Sequence, residues 1–191
     1  EAISDRRSHL QSLMEADHSV IVRTAKISDL NDLSHLNEAF AIETDLQSAC
    51  DQDSNKQWMT VNIGQDESIK DDIVAQDVIC LEQGTLGIRG FLLSRDQIDP
   101  ESPKWHCYIS TLFVARGSRG QGFARMLLSQ AVLDSFTRGQ AESIVLLVAS
   151  NNEKAQKLYE SFGFAQTGEQ RDHNVMTASM DTAFEKAAVH M

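Results

Sequence analysis

Proline is scarce in this sequence: Pro100 and Pro103 are its two prolines, so the one conspicuous break lies in the loop from 96 to 104. No apolar run approaches the ~20 residues that a membrane-spanning helix needs. Residues 1–20 also lack the apolar centre of a signal peptide. We therefore expect a cytoplasmic protein that makes no contact with a membrane.

Cysteine is also sparse, and its placement excludes two kinds of site. The three cysteines are odd in number, widely spaced and free of any CxxC pair: Cys50, Cys80 and Cys107. This pattern argues against a disulfide framework and against a zinc site. We expect reduced thiols that serve as small apolar side chains, and no metal.

Positive charge is in deficit, with 17 Lys and Arg against 28 Asp and Glu, a net charge of -11. The excess is confined to one half, since residues 1–100 hold 19 acidic and 8 basic side chains, whereas residues 101–191 hold 9 of each. Such a field repels nucleic acid and attracts cations. The sequence thus predicts no nucleic-acid partner. Charge alone leaves open whether the acidic half steers a cationic substrate or only keeps the protein soluble.

The patterned part of the chain favours one mixed α/β domain over residues 20–191, with 41% hydrophobic residues to fill its core. Residues 1–19 are predicted to form an N-terminal extension with a short helix. The apolar stripe of that helix suits either the chain's own sheet or a second subunit, so a homodimer is one expectation: Leu10, Leu13 and Met14.

Periodicity and turn residues predict the order β α (α) β β β α β α β β. The predicted strands are 20–24, 78–82, 86–94, 105–114, 144–149, 164–167 and 174–180. Ser28 is predicted to cap the first helix, and residues 42–76 to form a loop with one or two short helices. Gly139 and Gly163 are predicted to end the two later helices.

A glycine-rich turn between a strand and a helix is the strongest local signal. Gly117, Gly120 and Gly122 lie where a helix N-terminus offers unpaired N–H donors, and this geometry favours an anion. Three arginines add positive charge there: Arg116, Arg119 and Arg125. The G-x-x-G-x-G spacing, with no Lys after the last glycine, fits neither the Walker motif nor the Rossmann fingerprint.

The segment Arg119-Gly120-Gln121-Gly122-Phe123-Ala124 resembles the R/Q-x-x-G-x-G/A loop of the GNAT superfamily of N-acyltransferases. Downstream, LLVASNNEKAQKLYESFGF is similar to the family's second cofactor segment. The resemblance covers residues 79–164 and is faint before them. It implies a central twisted mixed sheet of six to seven strands flanked by about four helices, and an acetyltransferase that uses acetyl-CoA as co-substrate.

The resemblance also implies roles for particular residues. Backbone groups of the fourth strand would lie along the pantetheine arm: Leu112, Phe113 and Val114. Main-chain N–H groups of the loop would hold the pyrophosphate: Arg119, Gly120, Gln121, Gly122, Phe123 and Ala124. Asn152 would reach the pantetheine side, and the Leu112 N–H would polarise the thioester carbonyl. Tyr159 would give a proton to the departing CoA thiolate, although its place in an apolar helical stripe also suits a core tyrosine.

The general base is left open. Many family members carry a Glu on the fourth strand, but the two candidate positions here are Tyr108 and Ser110. The other candidates are His106 on the same strand and three residues in or after the first helix: His35, Glu38 and Glu43.

Three functions remain open for the whole chain. The leading one is acetylation of a small, cationic primary amine, which suits the acidic first half. The second is acetylation of a protein at its α-amino group or at lysine, favoured by the short connection from 166 to 173. The third is a non-catalytic module that binds or senses acetyl-CoA.

Overall fold

The computed structural model describes residues 19–50, 66–98 and 103–189. Its strands are β1 Val20–Thr24, β2 Val78–Gln83, β3 Ile88–Ile98, β4 Trp105–Val114, β5 Ser143–Ala149, β6 Ala165–Gln170 and β7 His173–Ser179. Its helices are α1 Leu30–Cys50, α2 Asp66–Val74, α3 Phe123–Arg138, α4 Glu153–Glu160 and α5 Met180–Ala188. The stripe of Leu10, Leu13 and Met14 lies outside the described residues.

The strands form one seven-stranded sheet in the order β1-β2-β3-β4-β5-β7-β6. Every pair of neighbours is antiparallel except β4 and β5, which run parallel. This confirms the mixed α/β sheet and its seven predicted strands. The parallel pair lies at the centre of the sheet, with α3 as its crossover connection.

The two faces of the sheet carry separate apolar cores. On one face, α3 and α5 contribute buried side chains that include Leu127, Leu128 and Ala183. On the other face, Leu33 of α1 and Ile73 of α2 belong to a second cluster over β2, β3 and β4. The helices therefore divide into two layers, and each layer buries the side chains of alternate strand positions.

Several local predictions are confirmed by backbone geometry. Gly139 follows α3 with φ 71°, and Gly163 has φ 85°, the left-handed conformation that glycine adopts at low cost. A cap that is not among these predictions starts α4, where the Asn152 side-chain oxygen accepts the Ala155 N–H at 3.2 Å. These features depend only on neighbours in sequence.

The structure differs from the prediction at several strand ends, at the start of α1 and in one further helix. Ser28 does not cap α1, because residues Ile27–Asp29 form a 3₁₀ turn in which the Asp29 carboxylate accepts the Lys26 N–H at 2.7 Å. The last strand ends at Ser179, one residue early, since the Ser179 hydroxyl accepts the Thr182 N–H at 3.2 Å and starts α5. Helix α5 was not predicted, although Met180, Ala183 and Ala187 give it one buried face.

The central parallel pair is short. β4 and β5 are paired only from His106 opposite Ser143 to Ile109 opposite Leu146. Beyond that point β4 continues against β3 and β5 continues against β7, so the two strands separate. The sheet therefore has an opening at its centre, which sequence reasoning did not predict.

A β-bulge in β4 coincides with the start of the opening. Leu93 lies opposite Thr111, but the next residue, Ser94, lies opposite Ile109, which leaves Ser110 as the extra residue. Because of the extra residue, odd-numbered positions face the α3 core before the bulge and even-numbered positions face it afterwards. Ile109 before the bulge and Leu112 after it both contact that core. A bulge bends its strand and interrupts pairing, which accounts for the divergence from β5.

Gly90 of β3 gives a test of how tightly β3, β4 and α3 pack. A methyl group at this position would lie 2.8 Å from the Phe113 carbonyl oxygen and 3.2 Å from Leu127 Cδ1. We expect Gly90→Ala to lower the free energy of unfolding by about 1–3 kcal/mol, the usual cost of overpacking, in a denaturant titration. Gly168→Ala on edge strand β6 is the matched control, because its added methyl would make ordinary contacts at 3.7 Å. Equal stability of the two variants would contradict the prediction.

Candidate functional site

A cavity of about 600 Å³ occupies the opening between β4 and β5. The two separated strands form its long walls, from Ile109 to Val114 on one side and from Leu146 to Ala149 on the other. Helix α4 contributes Tyr159, and helix α1 contributes Phe40 and Glu43. The opening thus becomes a cleft whose walls include main chain that has no neighbouring strand.

The backbone of β4 presents alternate residues to this cleft. The Ala115 N–H donates to the Arg89 carbonyl of β3 at 2.8 Å, and in an antiparallel ladder the bonded residues alternate. Phe113 therefore bonds to β3, whereas the main-chain groups of Leu112 and Val114 face the side from which β5 has withdrawn. The Val114 carbonyl accepts a hydrogen bond from Arg119 Nε at 2.8 Å.

All three of the predicted β4 residues thus lie on the cavity wall, in different ways. Leu112 directs main-chain groups into the cleft. Phe113 contributes its buried ring, which lies 5.8 Å from the ring of Phe40 and 6.2 Å from that of Phe91. Val114 is linked to the glycine-rich loop through Arg119, so the end of β4 and the loop form one unit.

The loop after β4 exposes a row of N–H groups at the start of α3. Among the described residues, the N–H groups from Gly120 to Ala124 donate to no protein acceptor, whereas the Arg119 N–H contacts the Arg116 carbonyl at 3.3 Å. Gly120 and Gly122 have φ values of 80° and 82°, and nothing lies within 4 Å of the space that a Cβ would occupy at either. This arrangement of an open turn and a helix N-terminus suits an anion.

Glu43 of α1 binds two arginines of this loop. Its two carboxylate oxygens accept hydrogen bonds from Arg116 Nε at 3.0 Å and Arg119 Nη2 at 2.8 Å. Burial alone would raise the pKa of Glu43, but the hydrogen bonds and charges of the two arginines outweigh it, so the pKa is lowered. Glu43 is therefore an ionised partner of the loop, a poor fit to its predicted candidacy as a base.

Tyr159 is 8% exposed and borders the cleft while its ring lies 5.8 Å from that of Phe164. Burial raises the pKa of Tyr159 to about 12, so the phenol keeps its proton at neutral pH. Asn152, at the start of α4, also lines the cavity. Its side-chain oxygen caps the helix as described above.

The remaining base candidates lie away from the cleft, with one exception. His35 and Glu38 form an exposed pair at 3.8 Å on α1, and His106 pairs with Gln97 at 3.0 Å at the opposite end of β4. Tyr108 does not line the cavity, and Ser110 does, as the bulged residue.

Two cavity residues that sequence reasoning missed are Asp172, in the turn between β6 and β7, and His173, the first residue of β7. Nothing local identifies them, because they reach the cleft only through the pairing of β7 with β5. In the part of the chain that the structure describes, no group of His, Cys, Asp and Glu is arranged to hold a metal ion. Among the described helices, none is both long and apolar enough to traverse a bilayer.

The bridge between Glu43 and the loop can be tested by stability. Because the folded-state pKa of Glu43 lies below its ordinary value of 4.5, the bridge stabilises the protein above that pH and is lost as the pH falls through the lowered pKa. We expect Glu43→Gln to reduce the free energy of unfolding by about 0.5–1 kcal/mol at pH 7. The difference from the parent protein should shrink in acid. Glu38→Gln on the same helix should leave stability unchanged, and an equal effect of the two substitutions would refute the bridge.

Similar proteins share this architecture. Spermidine N(1)-acetyltransferase of Vibrio cholerae is 42% identical over 57 residues, which are 30% of this chain and 33% of that protein. The chain thus aligns with about a third of that relative's length. The structure of the PaiA N-acetyltransferase of Thermoplasma acidophilum with coenzyme A has a TM-score of 0.65 at 16% identity, over 84% of this chain and 99% of that one.

Arabidopsis thaliana Naa50, in complex with the bisubstrate analogue CoA-Ac-MVNAL, is 25% identical with a TM-score of 0.58, over 84% of this chain and 99% of that one. The sequence profile of the Acetyltransferase (GNAT) family matches residues 40–164, which include β4, the glycine-rich loop, β5 and α4. The predicted resemblance is confirmed, and this chain belongs to the GNAT family of acetyltransferases.

Proposed function

We propose that this protein transfers an acetyl group from acetyl-CoA to an amine by direct attack in a ternary complex. The observation that carries the proposal is the continuity of one surface. Main-chain groups of Leu112 line the cleft, and the row of N–H groups from Gly120 to Ala124 follows at the mouth of α3. An extended arm that ends in a diphosphate matches that surface.

The residues of the loop fit the diphosphate of CoA. The N–H groups of Gly120, Gln121, Gly122, Phe123 and Ala124 have no protein acceptor among the described residues, and the N-terminus of α3 adds positive potential. The two glycines leave room for close approach of a phosphate. We assign Arg119 to shaping the loop, since its guanidinium already bonds to Val114 and Glu43.

The strand and α4 fit the remaining part of the cofactor. Leu112 and Val114 would bond or contact the pantetheine arm, with the ring of Phe113 behind them and Asn152 across the cleft. Acetyl-CoA, when bound, supplies a thioester as the acyl donor. The Leu112 N–H would donate a hydrogen bond to the thioester carbonyl oxygen, which favours the charge that develops there during attack.

Tyr159 is assigned to the leaving sulfur. Because its pKa is about 12, the phenol is protonated at neutral pH and can donate a hydrogen bond to the developing thiolate. That proton then passes to the sulfur as the carbon–sulfur bond breaks. Burial also raises the pKa of the Cys80 and Cys107 thiols to about 11. Neither cysteine is suited to carry the acetyl group as a thioester, which supports direct transfer.

The acceptor is proposed to be a cationic amine. Helices α1 and α2 belong to the acidic first half of the chain, and they cover the sheet face next to the opening. The Vibrio cholerae relative is a spermidine acetyltransferase, and the Naa50 complex holds a peptide analogue. Only two residues, 171 and 172, connect β6 to β7, which leaves that side of the cleft open for a bulky acceptor.

Cofactor binding and transfer can be tested together. We expect calorimetry to detect CoA binding, and thiol release from acetyl-CoA to depend on an added amine. The panel would contain spermidine, a peptide with a free N-terminus and a peptide whose one amine is lysine. Binding without release for any amine would favour an acetyl-CoA sensor. No binding at all would overturn the proposal, because the loop would then have no diphosphate to hold.

Tyr159→Phe separates chemistry from binding. We expect kcat to fall about 10²-fold while the dissociation constant of CoA stays within twofold, because the ring remains and only the phenol proton is lost. Tyr108→Phe is the matched control, since Tyr108 is the other tyrosine of the chain and lies off the cavity wall. Unchanged kcat in Tyr159→Phe would assign Tyr159 to the core alone.

A further inference from the structure

The opening between β4 and β5 joins the two faces of the sheet. Along β5, Ile144, Leu146 and Val148 are buried in the core that contains α3 and Tyr159. The intervening residues Leu147 and Ala149 therefore face the opposite side, where α1 lies over β2 to β4. All of Leu146 to Ala149 border the cavity, so the cavity reaches both faces.

His173 stands on the second face. It is the first residue of β7 and lies directly opposite Ala149, and cross-strand partners share a face of the sheet. Its backbone is held on both sides, by Ala149 of β5 and by Gln170 of β6. The Ser150 N–H also donates to the Asp172 carbonyl at 2.9 Å, which fixes the turn before it. The half-buried His173 is thus a rigidly placed part of the wall.

Tyr159 and His173 consequently approach the same cavity from opposite faces. Tyr159 extends from the core under α3 and α4, and His173 borders the face on which the acidic helices lie. Transfer of an acyl group to an amine needs a proton donor at the leaving sulfur and a proton acceptor at the attacking nitrogen. Two groups on opposite sides of the reacting carbon satisfy both needs.

The other titratable groups of the wall are less suited to accept that proton. They are Glu43, Arg119, Lys154 and Asp172. Arginine and lysine are cations at neutral pH, and Glu43 is engaged by two arginines. Asp172 is exposed, and a solvated carboxylate is a much weaker base than imidazole.

We propose that His173 is the general base of the transfer; this inference rests on the acetyltransferase function proposed above. The amine reacts in its neutral form, after a cationic acceptor has lost one proton to solvent. Its nitrogen forms a bond to the thioester carbonyl carbon as a second proton passes from that nitrogen to the His173 imidazole. The carbon–sulfur bond breaks, and the sulfur leaves with the bonding pair and takes the Tyr159 proton. Solvent restores the proton to Tyr159 and removes one from His173, so the products are the amide and the CoA thiol.

The test compares the parent protein with His173→Gln, using spermidine or whichever peptide of the panel turns over. We expect kcat/KM at pH 7 to fall about 10²- to 10³-fold, as for the loss of a general base, with CoA affinity within twofold. The parent rate should fall as the pH drops through the imidazole pKa, because the charged form accepts no proton. This acidic limb of the pH–rate profile should be missing in His173→Gln. Imidazole added to the buffer should restore part of the variant's rate.

Two controls make the result specific. His106→Gln alters the histidine at the far end of β4 and should keep the parent rate, and His173→Asn should behave as His173→Gln does. NMR titration of the His173 ring in protein without CoA should give the same pKa as the acidic limb of the rate. A parent-like rate for His173→Gln, or a His173 ring pKa far from that of the acidic limb of the rate, would overturn the assignment of His173 as the base. Either result would leave the acetyltransferase function standing. Absence of turnover in the parent protein would instead overturn the proposed function and the base with it.

Discussion

Along a parallel pair of strands, the main-chain N–H and C=O groups of each strand are normally satisfied by the other. The pairing of β4 with β5 ends at Ile109 opposite Leu146. The next residue of β4, Ser110, is the extra residue of the bulge. Neither strand is left without support, since β3 holds β4 and β7 holds β5. A stable sheet therefore carries an unpaired strand edge in its interior. The cavity, the proposed cofactor surface and the meeting of the two faces all depend on that edge.

The parts of the fold that the sequence predicted are those specified by neighbours along the chain. Gly139 and Gly163 end their helices by local backbone geometry, and the spacing of Gly120 and Gly122 marks the open turn before α3. The opening was not predicted, because it requires knowing that β5 pairs with β4 for only four residues. The sequence contains one signal of the bulge. Ile109 and Leu112 of β4 are three positions apart and face the same core, whereas regular alternation would place residues of one face two or four positions apart.

The candidate site likewise contains residues that the motif predicts and residues that only the structure reveals. The motif points directly to Tyr159 and to the loop, whereas sequence position gives base candidates most of which the structure places away from the cavity. Ser110 lines the cavity as the bulged residue. Glu43 reaches the cavity but serves the arginines of the loop, and His106 lies at the wrong end of β4. His173 begins a strand that carries no motif, and only the insertion of β7 between β5 and β6 brings it to the wall.

The cavity reaches both faces of the sheet, and its proposed donor and acceptor sides are formed by separate parts of the chain. The loop and α3 N-terminus lie beyond the end of β4, whereas the β6–β7 turn belongs to the outer edge of the sheet and has only two connecting residues. Insertions at that turn would leave the main-chain contacts of β4 and the loop intact. Under the proposed function, changes at that turn would therefore alter acceptor preference over evolution while the binding of the donor is retained.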